Sequence, residues 1–235
     1  MTIGIIGAMD EEIHLLKEKV TQLSEVKYEK LTIYTGNHAN KEIVFVKSGI
    51  GKVNAAVAAT ILITVFKAKV IINTGIAGSL SHEASLGDIV ISNDTIQYDF
   101  DVTAFGYAEG HIPRMEISTF EADQTLIDLC VLSAEEQHTI HVGRIVSGDR
   151  FVNTESFKQH LRETFKALCV DMESAAIGHV CYLHNLPYVA IRCISDNADE
   201  TSNTKYKDFE RYTATLSADM TLKVISRFEG SKCMG

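Results

Sequence analysis

An α/β sandwich on a mostly parallel sheet is predicted from two observations. Short β-branched runs alternate with helical stretches along the chain, and several of these runs end in glycine-rich turns. No linker, repeat or low-complexity segment interrupts the alternation, so one domain over 1–235 is expected. Residues 2–8 read as a strand that leads into a helix at 10–20. Runs 31–36 and 42–48 read as a hairpin about the polar turn 38–41. An alanine-rich helix at 53–66 precedes a buried strand at 70–74, which opens into a glycine turn at 75–78. A strand follows at 88–93. From 94 to 120 the pattern weakens, as in a long functional loop or an interface. Then come helix 122–133, strand 144–147, helix 154–164, strand 167–170, helix 172–183, strand 188–194 and a long helix at 208–228.

Composition narrows the function. Apolar residues make up 46% and charged residues 23% of the chain, enough to build a core without disulfides or a structural metal. A net charge of −9 repels phosphate polymers, which argues against nucleic acid as a partner but leaves a neutral nucleoside open. Five cysteines (Cys130, Cys169, Cys181, Cys193, Cys233) form an odd set without a CxxC pair, the pattern of reduced thiols. The start MTIGIIGAMDEE lacks the features of a signal peptide. The weakly polar run between Lys52 and Lys67 falls short of the about 20 residues a membrane span needs. A cytoplasmic protein with no membrane partner is expected.

In open α/β sheets ligands bind beyond the carboxyl ends of the strands. The first strand exits into Asp10-Glu11-Glu12. Met9, Ile13, Leu16 and Val20 share the buried helix face, Glu11 lies opposite, and Asp10 and Glu12 flank the face. Acids in a first turn also stabilise the helix dipole, and that reading stands beside a catalytic one; of the three, Glu12 is better placed than Glu11 to reach a cleft. The turns Ser48-Gly49-Ile50-Gly51-Lys52 and Thr74-Gly75-Ile76-Ala77-Gly78 permit close backbone approach to a ligand, although tight turning alone explains them as well. Neither matches a dinucleotide or P-loop pattern. Asp171 and Glu173 sit where a strand turns into a small-residue helix, as a cap and a first-turn acid or as ligand groups. Asp196 follows Ser195 just past a buried strand, where it either caps a turn or faces the crevice.

The nine histidines form no HExxH, and His138 and His141 have no third ligand nearby, so neither a metal nor another cofactor is expected. No GxSxG elbow occurs. The chemistry left over is that of carboxylates.

Taken in order, IGIIGAMDEE, SGIGKVNAA, NTGIAG, GDIV, DVTAFGY, IVSGDRFVN, VDMESAAI and IRCISDNAD resemble the bacterial 5′-methylthioadenosine/S-adenosylhomocysteine nucleosidases, from residue 3 to about residue 199. The resemblance implies the nucleoside phosphorylase/hydrolase fold, a three-layer αβα sandwich with a mixed central sheet. It also implies a homodimer and release of adenine from a 5′-thio-substituted ribose. Glu12 matches the acid that activates water, and Asp196 the acid that serves purine N7, with Ser195 orienting it. Glu173 matches the group that holds the ribose hydroxyls, with Met172 against the sugar. Phe151 matches the ring that stacks on adenine, and Val152 the backbone contact to its edge. Ile50 and Tyr206 fall where the family lines the 5′-thio pocket. Met9, Ala77 and Gly78 complete the substrate-binding set, and Phe105 and Tyr107 match side chains lent by the second subunit. Asp10 and Asp171 depart from the Glu of many members, at positions read as flanking, and Ile76 stands where some have serine.

The implied mechanism is protonation at N7 by Asp196, oxocarbenium character on the sugar, and attack at C1′ by a water that Glu12 orients and deprotonates. One rival is a phosphorylase on the same fold. Against it, the first arginine is Arg114, which leaves only Lys47 and Lys52 as cations near the early turns. The other rival is a non-catalytic nucleoside-binding protein, which would not need Glu12, Glu173 and Asp196 together.

Overall fold

The run Ile3–Gly7 is buried at every position, as expected of a continuous apolar strand in a sheet covered on both faces. The computed structural model describes residues 1–135, 138–199 and 202–229, with the backbone alone for 202–208. Its strands are β1 (Ile3–Gly7), β2 (Thr21–Tyr28), β3 (Leu31–His38), β4 (Lys41–Lys47), β5 (Val70–Ser79), β6 (Ile89–Gln97), β7 (Thr119–Glu121), β8 (Ile140–Ser147), β9 (Cys169–Asp171) and β10 (Tyr188–Asp196). The helices are α1 (Asp10–Lys19), α2 (Lys52–Thr64), α3 (Gln124–Leu132), α4 (Glu155–Phe165), α5 (Ser174–Leu183) and α6 (Ser202–Arg227).

The strands hydrogen-bond in the order β10-β6-β8-β9-β5-β1-β4-β3-β2, with β7 on β6 and a further pairing of β10 with β5. That last pairing closes β5, β10, β6, β8 and β9 into a ring, while β1, β4, β3 and β2 extend from it as an open sheet. Small residues fill the ring, among them Ala77, Ala190 and Cys169. Helices α1, α3 and α6 cover one face through Leu16, Leu126 and Ile225. On the other face α2 and α5 pack Ala58, Leu62 and Ile177 against Ile6 and Ile71. Helix α4 seats Leu161 and Phe165 against Val146 and Val170 at the ring. The fold is therefore an α/β sandwich, as the sequence pattern predicts, with the mixed sheet that the resemblance implies. Cys130, Cys169, Cys181 and Cys193 are free and buried; Cys233 lies outside the described residues.

Three expectations need correction. The sheet is less parallel than expected: five of its described pairings are parallel and five antiparallel. Residues 75–78 are not a turn, because β5 runs on to Ser79 and pairs there with β10 and β9. The loop expected from 94 is shorter, since β6 continues to Gln97 and β7 starts at Thr119.

The topology brings the carboxyl ends of several strands to one edge. Ser48 N donates to Gly7 O at 2.8 Å and Gly49 N to Ala8 O at 3.1 Å, which ties the exits of β4 and β1 together.

Candidate active site

Helix α1 begins three residues after β1, so the unpaired amides of its first turn lie at this edge. Glu12, the third residue of the helix, folds its carboxylate back over them. Oε2 accepts from Ala8 N at 2.5 Å and from Met9 N at 3.1 Å, and Oε1 accepts from Ile76 N on β5 at 3.1 Å. This is the glutamate of a capping box, tied in addition to a second strand. Its residue is 4% exposed. Burial pushes the carboxyl above the ordinary glutamate value, against the pull of the Arg192 charge and of the three amides. Asp10, by contrast, points outward and pairs with Lys47 at 2.6 Å. Gly75 makes room for the arrangement: a Cβ there would stand 2.9 Å from Glu12 Cδ and 3.1 Å from Arg192 Nη1.

Arg192 is the group that sequence reasoning missed. It lies on β10 and is 1% exposed. Its Nε donates to Asp171 Oδ2 at 2.7 Å, its Nη2 to Asn73 Oδ1 at 2.5 Å, and its Nη1 to Ile191 O at 3.2 Å. Asp171 also accepts from the hydroxyls of Ser147 and Ser174. Asp171 is thus more than a flanking position, because it holds the buried guanidinium beneath the cleft. A buried ion needs such partners, and one cation here faces Asp171, Glu12 and Glu173. The available signal was a cation inside the apolar run YVAIRCIS.

Glu173 occupies the residue before α5, and its Oε1 accepts from Gly51 N at 2.9 Å. Burial first, and the Asp171 charge second, push its carboxyl up to about 8, opposed by Arg192. Asp196 ends β10. Its Oδ2 accepts from Ser195 Oγ at 2.9 Å and its Oδ1 from Ala198 N at 2.8 Å, so both oxygens are oriented.

These carboxylates line one cleft of about 640 Å³, a volume suited to a small organic ligand. Glu12, Glu173, Asp196 and Ser195 are joined there by Met9, Ile50, Ala77 and Gly78 on the early strand exits. Phe151, Val152 and Met172 come from the exits of β8 and β9. Ile76 and Asp171, from strand exits already weighed as ligand-binding, complete the lining with Ala8, Arg150 and Val170, which were not expected there. Phe105 and Tyr107 are not part of it; Phe105 is 81% exposed, and Tyr107 stacks on His111 at 4.7 Å. The Tyr206 side chain lies outside the described residues. Among the described residues, no group of three His, Cys, Asp or Glu is arranged to hold a metal.

The chain matches the phosphorylase superfamily over residues 2–228. A 5′-methylthioadenosine/S-adenosylhomocysteine nucleosidase of Staphylococcus aureus (strain JH9) is 42% identical over 96% of this chain and 99% of its own. The nucleosidase of Neisseria meningitidis, solved with methylthio-immucillin-A, superposes with a TM-score of 0.94 at 40% identity, covering 97% of this chain and 99% of that one. A futalosine hydrolase of Helicobacter pylori superposes with a TM-score of 0.93 at 33% identity, over 97% and 98% of the two chains. The class is thus that of the phosphorylase superfamily. Within it, the chain belongs to the family of 5′-methylthioadenosine/S-adenosylhomocysteine nucleosidases, enzymes that hydrolyse an N-glycosidic bond.

Proposed function

We propose that the cleft hydrolyses the N-glycosidic bond of 5′-methylthioadenosine and S-adenosylhomocysteine, and of 5′-deoxyadenosine as well, to release adenine. The carrying observation is that three oriented carboxylates (Glu12, Glu173, Asp196) share one small cleft whose other walls are largely apolar. Asp196, with one oxygen held by Ser195 and the other by the Ala198 amide, delivers or shares the proton that purine N7 takes as the bond to C1′ breaks. The base stacks on Phe151 beside Val152. Glu173 and Met172 hold the ribose, while Ile50 and Tyr206 take the 5′-thio group and Met9 lines the same cleft. Water attacks C1′ and gives its proton to Glu12, whose burial makes it a stronger base than an exposed glutamate.

Water rather than phosphate as the nucleophile is supported by what the nearby cations already do. Lys47 pairs with Asp10 at 2.6 Å and Lys52 with Asp99 at 2.5 Å. The Arg150 guanidinium stacks over the Phe157 ring at 4.1 Å, and the Arg192 guanidinium is taken up by Asp171 and Asn73. A homodimer in which Phe105 and Tyr107 complete the neighbour's site is supported by exposed apolar side chains, namely Ile50 on the cleft, Val53 and Val57 on the adjoining helix α2, and Phe105. No described helix is long and apolar enough to cross a membrane; a cytoplasmic, nucleic-acid-free enzyme working without a cofactor remains the reading.

The test is steady-state adenine release by Glu12→Gln, Glu173→Gln and Asp196→Asn. Glu12→Gln and Asp196→Asn should each lose roughly 10²–10⁴-fold in turnover while staying folded, and Glu173→Gln should lower turnover through lost positioning of the ribose. Near-normal turnover by a folded Asp196→Asn protein would refute its role at N7.

A further inference from the structure

Lys52, Asp99 and Asp149 form a closed circuit, next in sequence to cleft-lining residues, that the mechanism above does not use. Lys52 Nζ donates to Asp99 Oδ1 at 2.5 Å and to Gln97 Oε1 at 3.2 Å. The other Asp99 oxygen accepts from Asp149 N at 3.0 Å, and Asp149 Oδ1 accepts from Lys52 N at 2.8 Å. The Lys52 and Asp99 side chains are 19% and 27% exposed, so the pair is not a freely solvated surface bridge. Gly51 allows the close approach: it has φ +99°, and a Cβ on it would stand 3.0 Å from Asp149 Oδ1.

Each corner of the circuit carries part of the binding site. Next to Lys52, the Gly51 amide binds Glu173 and Ile50 lines the cleft. Just beyond Asp149 come Phe151 and Val152. Asp99 opens the segment that leads to Phe105 and Tyr107, and Tyr98 beside it donates its hydroxyl to Arg150 O at 3.2 Å, a second tie between the same two segments. The three corners are far apart in sequence; the pairing of Gln97 with Ser147 brings Asp99 and Asp149 together, and the Lys52 bonds join the turn at Gly51 to both.

We infer that Lys52, Asp99 and Asp149 are positioning residues, a clasp that fixes the base-stacking wall relative to the ribose-binding turn. None of the three residues lines the cleft, so the clasp sets the affinity for the nucleoside and leaves the bond-breaking step to the carboxylates. The inference rests on the nucleosidase reading of the cleft.

The test compares wild type with Lys52→Met, Asp99→Asn, the double variant and Lys52→Arg. The read-outs are kinetics on methylthioadenosine, calorimetric titration with adenine, and thermal melting. Each single variant should raise KM and weaken adenine binding by about tenfold while kcat changes no more than about threefold. The double variant should be little worse than either single one, and Lys52→Arg should recover most of the affinity. Unchanged KM and adenine affinity in folded Lys52→Met and Asp99→Asn would overturn the clasp, as would a loss confined to kcat. If Lys52→Met does not fold, Asp99→Asn carries the same read-outs. If wild type leaves methylthioadenosine intact, the nucleosidase reading fails, and the adenine titrations still decide the clasp on their own.

Discussion

The backbone amide of Ile76 donates to Glu12 Oε1 at 3.1 Å, joining β5 to the first turn of α1 across 64 residues of sequence. Because the contact comes from the backbone, an isoleucine at this position holds Glu12 without any help from a side-chain hydroxyl. The same geometry explains Gly75, since any side chain there would enter the space of the carboxylate it must pass.

Gly75→Ala should therefore behave as a catalytic lesion outside the reacting groups. Its Cβ would force Glu12 off amides that cannot follow it. A fall in kcat of about 10²-fold or more is expected, with a modest drop in thermal stability. Kinetics and melting of the purified variant check this, and a variant with wild-type kcat would contradict it.

The raised carboxyls give two pH dependences. As pH falls, Glu12 takes up a proton and can no longer accept one from water, so the acid limb of kcat/KM should lie above the ordinary glutamate value of 4.5. Glu173 affects stability. Its carboxyl is at about 8 in the folded protein against 4.5 as the ordinary value, so between those pH values the folded state holds a proton that the unfolded state has lost. Its contribution is complete below about 4.5 and disappears as pH rises through about 8. Urea unfolding of the free enzyme from pH 5 to pH 8 should show a decline that Glu173→Gln reduces.

Arg192→Met removes the cation from a buried cluster of acids. Breaking such a pair typically costs about 3–5 kcal/mol, and adding Asp171→Asn should recover part of the loss by removing the stranded charge. Unfolding free energies of the two variants decide the matter. Equal stability of Arg192→Met and wild type would mean that the ion pair is not the anchor of the site.

Phe151→Ala should weaken binding of the base and spare the chemistry. Stacking on an aromatic ring contributes roughly 1–3 kcal/mol per base, so KM should rise by about 5-fold to 150-fold. A normal KM would move the base elsewhere in the cleft.

Much of the fold was legible because burial leaves a local trace. β1, β5 and β10 read as apolar runs, and α2 as a helix that packs alanines such as Ala58 and Ala59 closely. What escaped has physical reasons. Strand β2 is nearly all exposed, so Thr21–Tyr28 carries no inward-facing pattern. The glycines at 75 and 78 read in the sequence as a turn, whereas they mark places where Glu12 and Asp196 press against a strand. At the site, motif order pointed to Glu12, Glu173 and Asp196, which the fold brings to one cleft. Spacing alone leaves each divided between capping and ligand contact, because a helix start or a turn after a strand serves both. The Arg192 partnership was out of reach, since its partners Asn73 and Asp171 meet it only in three dimensions.

The most direct measurement is adenine release from methylthioadenosine in phosphate-free buffer, repeated with phosphate added. Release at the same rate in both is expected, because water is the nucleophile and Glu12 its base. Release that requires phosphate would make the enzyme a phosphorylase and contradict the role given to Glu12.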